Sequence, residues 1–273
     1  MFWTRVASGV VLVIIAALAF ILGGPVMAGI LLVISLIAYL ELVKATGVQE
    51  NGKKWNALTV VGLLGVLAYY AAIFFFDNKN LEMMVIIGTL LAEMFVYVIT
   101  FPKYKIEQAA FATFSLIYAP IMFSFMYQTR ELPYGEYVVW LILICSWGCD
   151  TCAYAVGMLI GKHKAFPVLS PKKSWEGCIG GVVGAMLIGF IYSYFIVDNA
   201  VKDQSMNLII VVVCGVGAVM SQLGDLAASA IKRNHDIKDY GKLIPGHGGI
   251  MDRFDSVIVT APMIYFMVSL LMK

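Results

Sequence analysis

Apolar runs close to twenty residues long recur along the whole chain, and no other feature of the sequence narrows its possible folds so far. About 20 apolar helical residues cross the hydrocarbon core of a bilayer. Inside that core every backbone polar group must find its partner within the protein, which leaves only helices and closed barrels. Barrel strands alternate polar and apolar residues, and these runs do not. Composition agrees: 61% of the 273 residues are hydrophobic, 13% are charged, and the mean hydropathy is +0.88. The expectation is an all-α polytopic membrane protein with about nine transmembrane helices. They fall over residues 6–22, 26–44, 56–76, 82–101, 108–127, 137–160, 177–197, 207–231 and 256–272.

The opening "MFWTRVASGVVLVIIAALAFILGG" has the layout of a secretory leader, with Arg5, an apolar run and then small residues. The run is long, however, and a second apolar segment follows almost at once, so it reads as the first membrane helix. Basic residues orient the set, because loops on the cytoplasmic side carry the excess of Lys and Arg. With the N-terminus cytoplasmic, 15 of the 19 basic residues lie on the inner side, leaving Lys79, Arg130, Lys202 and Lys273 outside. The C-terminus is then outside.

Nine of the basic residues and all three histidines fall in two inner segments, 161–176 and 232–255. The expected division is therefore residues 1–135 as N-terminal membrane helices for scaffold and lipid contact, and 136–273 as a core with two basic cytoplasmic loops. Within that core "GCIGGVVG" (177–184) has two overlapping GxxxG spacings, the pattern of close helix packing in lipid. The five cysteines lie in or beside apolar segments. Cys149 and Cys152 have CxxC spacing but read as small apolar helix residues rather than a metal or redox site.

Two carboxylates sit inside apolar spans, Asp150 in the sixth and Asp225 in the eighth. A charge near mid-bilayer costs about 2.5–3.5 kcal/mol on insertion scales, so each needs a partner or a wet cavity. Ser221, Asp225, Ser229, Lys232 and Arg233 recur at helical spacing, as do Ser146, Asp150 and Tyr154. These polar stripes run toward the basic loops and suggest a cavity open at that end. Glu41 and Glu93 fit neither stripe.

The first loop reads "GKHKAFPVLSPKKSWEG". Ser170 before Pro171 looks like a helix start, with the serine as N-cap. Lys172 and Lys173 follow, and a helix start beside two ammonium groups suits a phosphate. "GMLIGKH" (157–163) fails as a Walker loop, because its glycines are too close and His163 replaces the hydroxyl residue. The second loop contains "PGHGG" (245–249), a turn whose glycines Gly248 and Gly249 are expected to offer backbone amides to an anion. Asp252 and Asp255 follow, three residues apart. Carboxylates without clustered Cys or His suit Mg²⁺ rather than zinc. Together with the lysines and arginines they describe metal-assisted chemistry on phosphates.

"SAIKRNHDIKDYGKLIPGHGGIMDRFD" (229–255) resembles the signature of the phosphatidate cytidylyltransferases, also called CDP-diacylglycerol synthases. "SQLGDL" (221–226) and "SPKKSWEG" (170–177) are similar to that family too. The specific motifs cover roughly residues 145–256. Departures are few: Ser174 stands where threonine is expected, Cys152 where a small residue is usual, and Lys242 where charge is uncommon.

The resemblance implies that CTP and phosphatidate react to give CDP-diacylglycerol and pyrophosphate at the membrane lipid surface, with no nucleic-acid partner. It implies Mg²⁺ on Asp225 and Asp252, with Asp150 and Asp255 as further ligands or supports. Lys172, Lys173, Lys232, Arg233 and Arg253 would neutralise phosphates, Ser170, Gly248 and Gly249 would line them, and His247 would shape the nucleotide pocket. A second cation and a homodimer are compatible with all of this. Two other readings are an enzyme joining CTP chemistry to a different lipid phosphate or a polyprenol, and a transporter. The latter is disfavoured by the lack of an internal repeat.

Overall fold

A computed structural model describes residues 2–49, 55–76, 78–201, 206–246 and 248–272. Lys202, Lys273 and His247, and Lys53 and Lys54 among the basic residues counted on the inner side, lie outside the described residues. The apolar runs are helices: α1 (Phe2–Leu22), α2 (Gly24–Ala45), α3 (Ala57–Phe76), α4 (Lys79–Ile99), α5 (Ile106–Arg130), α6 (Gly135–Ile160), α7 (Trp175–Ala200), α8 (Asn207–Asn234) and α9 (Met251–Leu271). The last eight are each long and apolar enough to span a bilayer, and α1 carries a shorter apolar stretch over Ser8–Leu22. The chain is an all-α polytopic membrane protein. Among the described residues the single sheet is an antiparallel hairpin of β1 (Lys164–Phe166) and β2 (Ser170–Ser174).

The helix boundaries have local causes. Asn56 caps α3 by accepting the Thr59 amide at 2.8 Å, and Asn78 caps α4 through the Asn80 and Leu81 amides. Such caps satisfy donors that the first helical turn leaves orphaned. Inside α5 a wide π turn at Ile117–Ile121 contains Pro120, whose missing N–H interrupts the ladder. A similar turn at Ile144–Gly148 in α6 ends immediately before Cys149 and Asp150.

The chain forms two compact units. The first comprises residues 1–124 and 234–253, the second 125–233 and 254–273. This division does not coincide with the expected one at 135/136, because the second basic loop belongs with the N-terminal helices. His235 packs edge-on against Phe111 of α5 at 5.7 Å, and Ser8 Oγ donates to the Pro245 carbonyl at 3.4 Å. Those helices therefore hold a polar loop as well as meeting lipid.

In the first unit α4 is inside out. Its buried positions are Glu82, Thr89 and Glu93, whereas Met84, Leu91, Phe95 and Val98 are exposed. Lipid makes this sensible, since apolar side chains gain nothing by facing inward while carboxylates do. Glu93 accepts a hydrogen bond from Thr113 of α5, which accounts for a residue that fitted no stripe. At one end of the unit Gln108 Nε2 donates to the Gly47 carbonyl (3.2 Å), Asn56 Nδ2 to Val48 (2.6 Å), and the Ala57 amide to the Tyr104 hydroxyl (3.2 Å). The end of α2 and the starts of α3 and α5 thus meet, as helices that cross back and forth require.

In the second unit α6 and α7 lie almost backbone to backbone. A Cβ on Gly177 would stand 2.9 Å from the Ala153 carbonyl oxygen and 3.2 Å from the Gly157 Cα. One on Gly181 would stand 2.9 Å from the Ala153 Cβ, and Gly180 and Gly184 face Val156 and Cys152. Both GxxxG pairs therefore serve close packing on α6. Cys145, Cys149 and Cys214 are buried free thiols, with Cys149 packed beside Ala185 and Ala218.

Candidate active site

The lysines of the first loop are placed by the hairpin rather than by a helix start. Ser170 is not an N-cap. It pairs with Phe166 in the β ladder, and Lys164 pairs with Ser174. The backbone from 170 to 174 is extended, so α7 begins four residues later than the Ser–Pro signal suggests. Its true cap is Ser174, whose Oγ accepts from the Gly177 amide at 3.2 Å. Glu176 in the first turn then closes the hairpin. Its carboxylate accepts from the Lys162 amide at 3.2 Å and lies 2.5 Å from His163 Nδ1, while the Trp175 amide donates to the His163 carbonyl.

This hairpin sets Lys172 and Lys173 over a cavity of about 430 Å³ between α6 and α7. Asp150, Lys172 and Lys173 form its charged part, and Ala153, Met158 and Cys178 supply apolar wall. Tyr154 and Met158 also line it and are 69% and 67% exposed along α6. Gln222 of α8 ties down the inner wall by donating to the Cys178 carbonyl at 2.9 Å. Lys173 Nζ forms an ion pair with Asp225 Oδ2 at 2.6 Å. Asp225 in turn interacts electrostatically with both Asp150 and Asp255, and Lys232 with Asp255. The Lys173–Asp225 ion pair is thus the fixed point of a set of charges that also includes Asp150, Asp255 and Lys232.

The second loop, residues 235–250, encloses a cavity of about 590 Å³ lined by Lys238, Asp239, Lys242 and Arg253, with Gly241, Gly246 and Gly248 as backbone wall. Its shape needs left-handed glycines. Gly246 has φ 77° and Gly248 φ 86°, and the Ile244 amide donates to the Gly248 carbonyl at 2.8 Å across the turn. Three cations face one carboxylate here, so the cavity suits a polyanion.

The expectation of free amides is corrected at Gly249. Its N–H donates to Asp252 Oδ2 at 3.0 Å, and the same oxygen accepts from the Tyr240 amide at 2.8 Å. The Ile250 and Met251 amides donate to Glu41 Oε1 and Oε2 at 3.1 and 2.9 Å. The helix start at Met251 attracts anions, and they are the protein's own carboxylates. Gly248 remains in the cavity wall.

Of the other expected residues, Arg253 lines the loop cavity, while Ser170 and Arg233 line neither cavity. Among the described residues no three Asp, Glu, His or Cys side chains gather in a metal-holding group. The donor chemistry still fits a hard cation. Around Asp225 the donors are oxygens, and Ser221, one turn away, carries a buried hydroxyl without a hydrogen-bond partner. Three residues carry work that the sequence reading did not assign to them: Glu41, Ser174 and Glu176. Ser174 followed by Glu176 in "SWEG" was the available signal for the cap. Glu41 had only its implausible place in an apolar span.

The model of the cytidylyltransferase family matches residues 3–271. A phosphatidate cytidylyltransferase of Staphylococcus epidermidis is 33% identical over 238 residues, covering 85% of this chain and 88% of that protein. One from Bacillus subtilis is 29% identical over 273 residues, 97% of each chain. One from Staphylococcus aureus is 40% identical over 165 residues, 59% of this chain and 60% of its own.

Proposed function

The chain belongs to the cytidylyltransferase family, and from that premise we propose that it is an integral-membrane enzyme making CDP-diacylglycerol and pyrophosphate from CTP and phosphatidate. One observation carries the choice of acceptor. The cavity between α6 and α7 joins two lysines and a carboxylate to an apolar wall that continues into exposed Tyr154 and Met158. A phosphate carrying acyl chains has that same polarity. Exposure of Tyr154 and Met158 supports lateral entry of the lipid from the bilayer.

In the proposed reaction an oxygen of the lipid phosphate attacks the α-phosphorus of CTP. The new bond joins the two phosphates, the α–β bridge breaks, and pyrophosphate leaves with its electron pair. A phosphomonoester has a second pKa near ~6, so the nucleophile is largely ionised at neutral pH and needs no protein base. The obstacle is repulsion between two anions, relieved by cations fixed in advance. Lys172 and Lys173 would hold the lipid phosphate, with Asp225 and Asp150 fixing the position of Lys173. Lys238, Lys242 and Arg253 would hold the triphosphate, with Gly248 against it and Lys232 and Arg233 adding positive potential. The apolar wall at Ala153, Met158 and Cys178 would keep water from competing with the lipid.

Asp225 would hold Mg²⁺, with Asp150 and Asp255 as further ligands or supports, and Asp252 is a further candidate ligand at the end of its own loop. When bound, that ion neutralises charge on the triphosphate. The excess of Lys and Arg in the two loops supports a site on the cytoplasmic face of the bacterial inner membrane, the side on which CTP is available.

The test is an assay of the purified protein with labelled CTP, phosphatidate and Mg²⁺. CDP-diacylglycerol and pyrophosphate should form in equal amounts, stop on chelation with EDTA, and resume when Mg²⁺ is restored. Turnover of a polyprenol or another lipid phosphate in place of phosphatidate would reassign the acceptor. Full turnover in EDTA would remove the metal.

A further inference from the structure

We infer that Glu41 on α2 is a positioning residue for the phosphates of CTP, acting through the second loop; the inference rests on the reading of that loop's cavity as the nucleotide site. Glu41 is 8% exposed and stands near the end of an apolar helix. Its two carboxylate oxygens each accept one backbone amide, from Ile250 and Met251. Both donors sit at the start of α9, where the helix itself offers them no partner. A residue 209 positions away in sequence thus fixes the point where loop becomes helix.

Two glycines show that the fit is specific. Gly241 and Gly249 both lack positive φ, so backbone conformation does not require glycine at either. What each would meet on gaining a Cβ is the Glu41 carboxylate. The loop is built around this side chain. Asp252 fixes the amides of Tyr240 and Gly249, and Glu41 fixes the next two, so that four amides are tied to two carboxylates. Gly241, Gly248 and Arg253, all in the cavity wall, are attached to this frame. A shift of the frame moves the groups that would meet the triphosphate while leaving the lysines of the hairpin untouched.

Glu41→Gln tests this with little change of volume. A carboxamide has one acceptor oxygen, and its NH₂ would face the second amide donor. Gly249→Ala and Gly241→Ala approach the same contact from the other side and keep Glu41 itself. In the full-length protein the KM for CTP should rise about tenfold to a hundredfold in Glu41→Gln, the range for losing a hydrogen bond to a charged group. The glycine variants should shift it in the same direction, and the KM for phosphatidate should stay within about twofold in all three. Equilibrium dialysis with labelled CTP and no lipid should show the same loss. An unchanged KM for CTP in both Glu41→Gln and Gly249→Ala would overturn the inference. So would an equal rise for both substrates, or a fall in kcat alone with a lower melting temperature, since those are marks of a structural role. If the wild-type protein binds CTP but does not turn over phosphatidate, the acceptor reading fails and the dialysis still decides Glu41. Wild-type protein that does not bind CTP overturns both.

Discussion

The two basic segments resemble each other in composition and differ in what holds them. Residues 161–174 fold on themselves. Their amides pair across a hairpin, and Ser174 at its end and Glu176 two residues on secure it to α7. Among the described residues, 235–250 have one isolated bridge, Ile244 with Gly248, and are held chiefly by carboxylates from α2 and α9, with Phe111 and Ser8 adding contacts. The first arrangement uses neighbours in sequence and tolerates local change. The second depends on a buried glutamate two hundred residues away and carries left-handed glycines besides. A loop held by outside carboxylates is fixed in place without drawing on its lysines in the cavity wall. The hairpin does the same by giving its ladder only backbone groups.

The sharpest way to break this contrast exchanges the charge on one brace in each segment. Asp252→Asn keeps an oxygen that can still accept from Tyr240 and Gly249, so the loop should stay folded. If the carboxylate also serves the metal, kcat should fall about a hundredfold or more. Glu176→Gln likewise keeps an acceptor for the hairpin amides, and no reactive role falls to it, so kcat should change by less than about threefold. Steady-state rates and melting temperatures of the two proteins check this. Near-normal turnover in a folded Asp252→Asn protein would reduce Asp252 to a brace and make the two segments alike.

A second, smaller effect sharpens the comparison by substrate. Lys172→Met removes an exposed cation from the cavity between α6 and α7, and Lys238→Met one from the loop cavity. Each should raise the KM for one substrate about tenfold, phosphatidate for Lys172 and CTP for Lys238, since a charge-assisted contact is lost in each. The other KM should stay near its starting value. If both variants weaken the same substrate, the division of labour between the cavities is wrong.

Legibility in the sequence followed the range of each interaction. The apolar spans were plain because a bilayer demands length and composition, both local properties. The GxxxG packing of α7 on α6 was legible for the same reason. Asp150, Asp225 and the lysines stood out because charge is costly in lipid. The start of α7 was misread because Ser170–Pro171 and Ser174–Trp175 are both acceptable caps. Only the hairpin pairing with 164–166, a tertiary choice, decides between them. Gly249 was misread because amides that would suit a phosphate suit a carboxylate equally well. Nothing near residue 249 announces that Glu41 will arrive. The grouping of the second loop with the N-terminal helices is not legible for a related reason: a loop that follows α8 in sequence packs with helices that precede it.

The smallest predicted effect concerns the cap that distinguishes the hairpin. Ser174→Ala removes the acceptor for the Gly177 amide and should cost about 1 kcal/mol, the usual value for a lost N-cap. Loss of the hydroxyl adds no bulk, so the close approach at Gly157 and Gly177 is preserved. Thermal unfolding in detergent should therefore shift down by a few degrees with only a modest rise in the KM for phosphatidate. Ser170→Ala, at the position that looks like a cap and is not one, should do neither. Equal losses in the two variants would mean that the hairpin, rather than the serine cap, secures α7. The first segment would then depend on distributed pairing and not on a single side chain, and Glu41 would have no counterpart there.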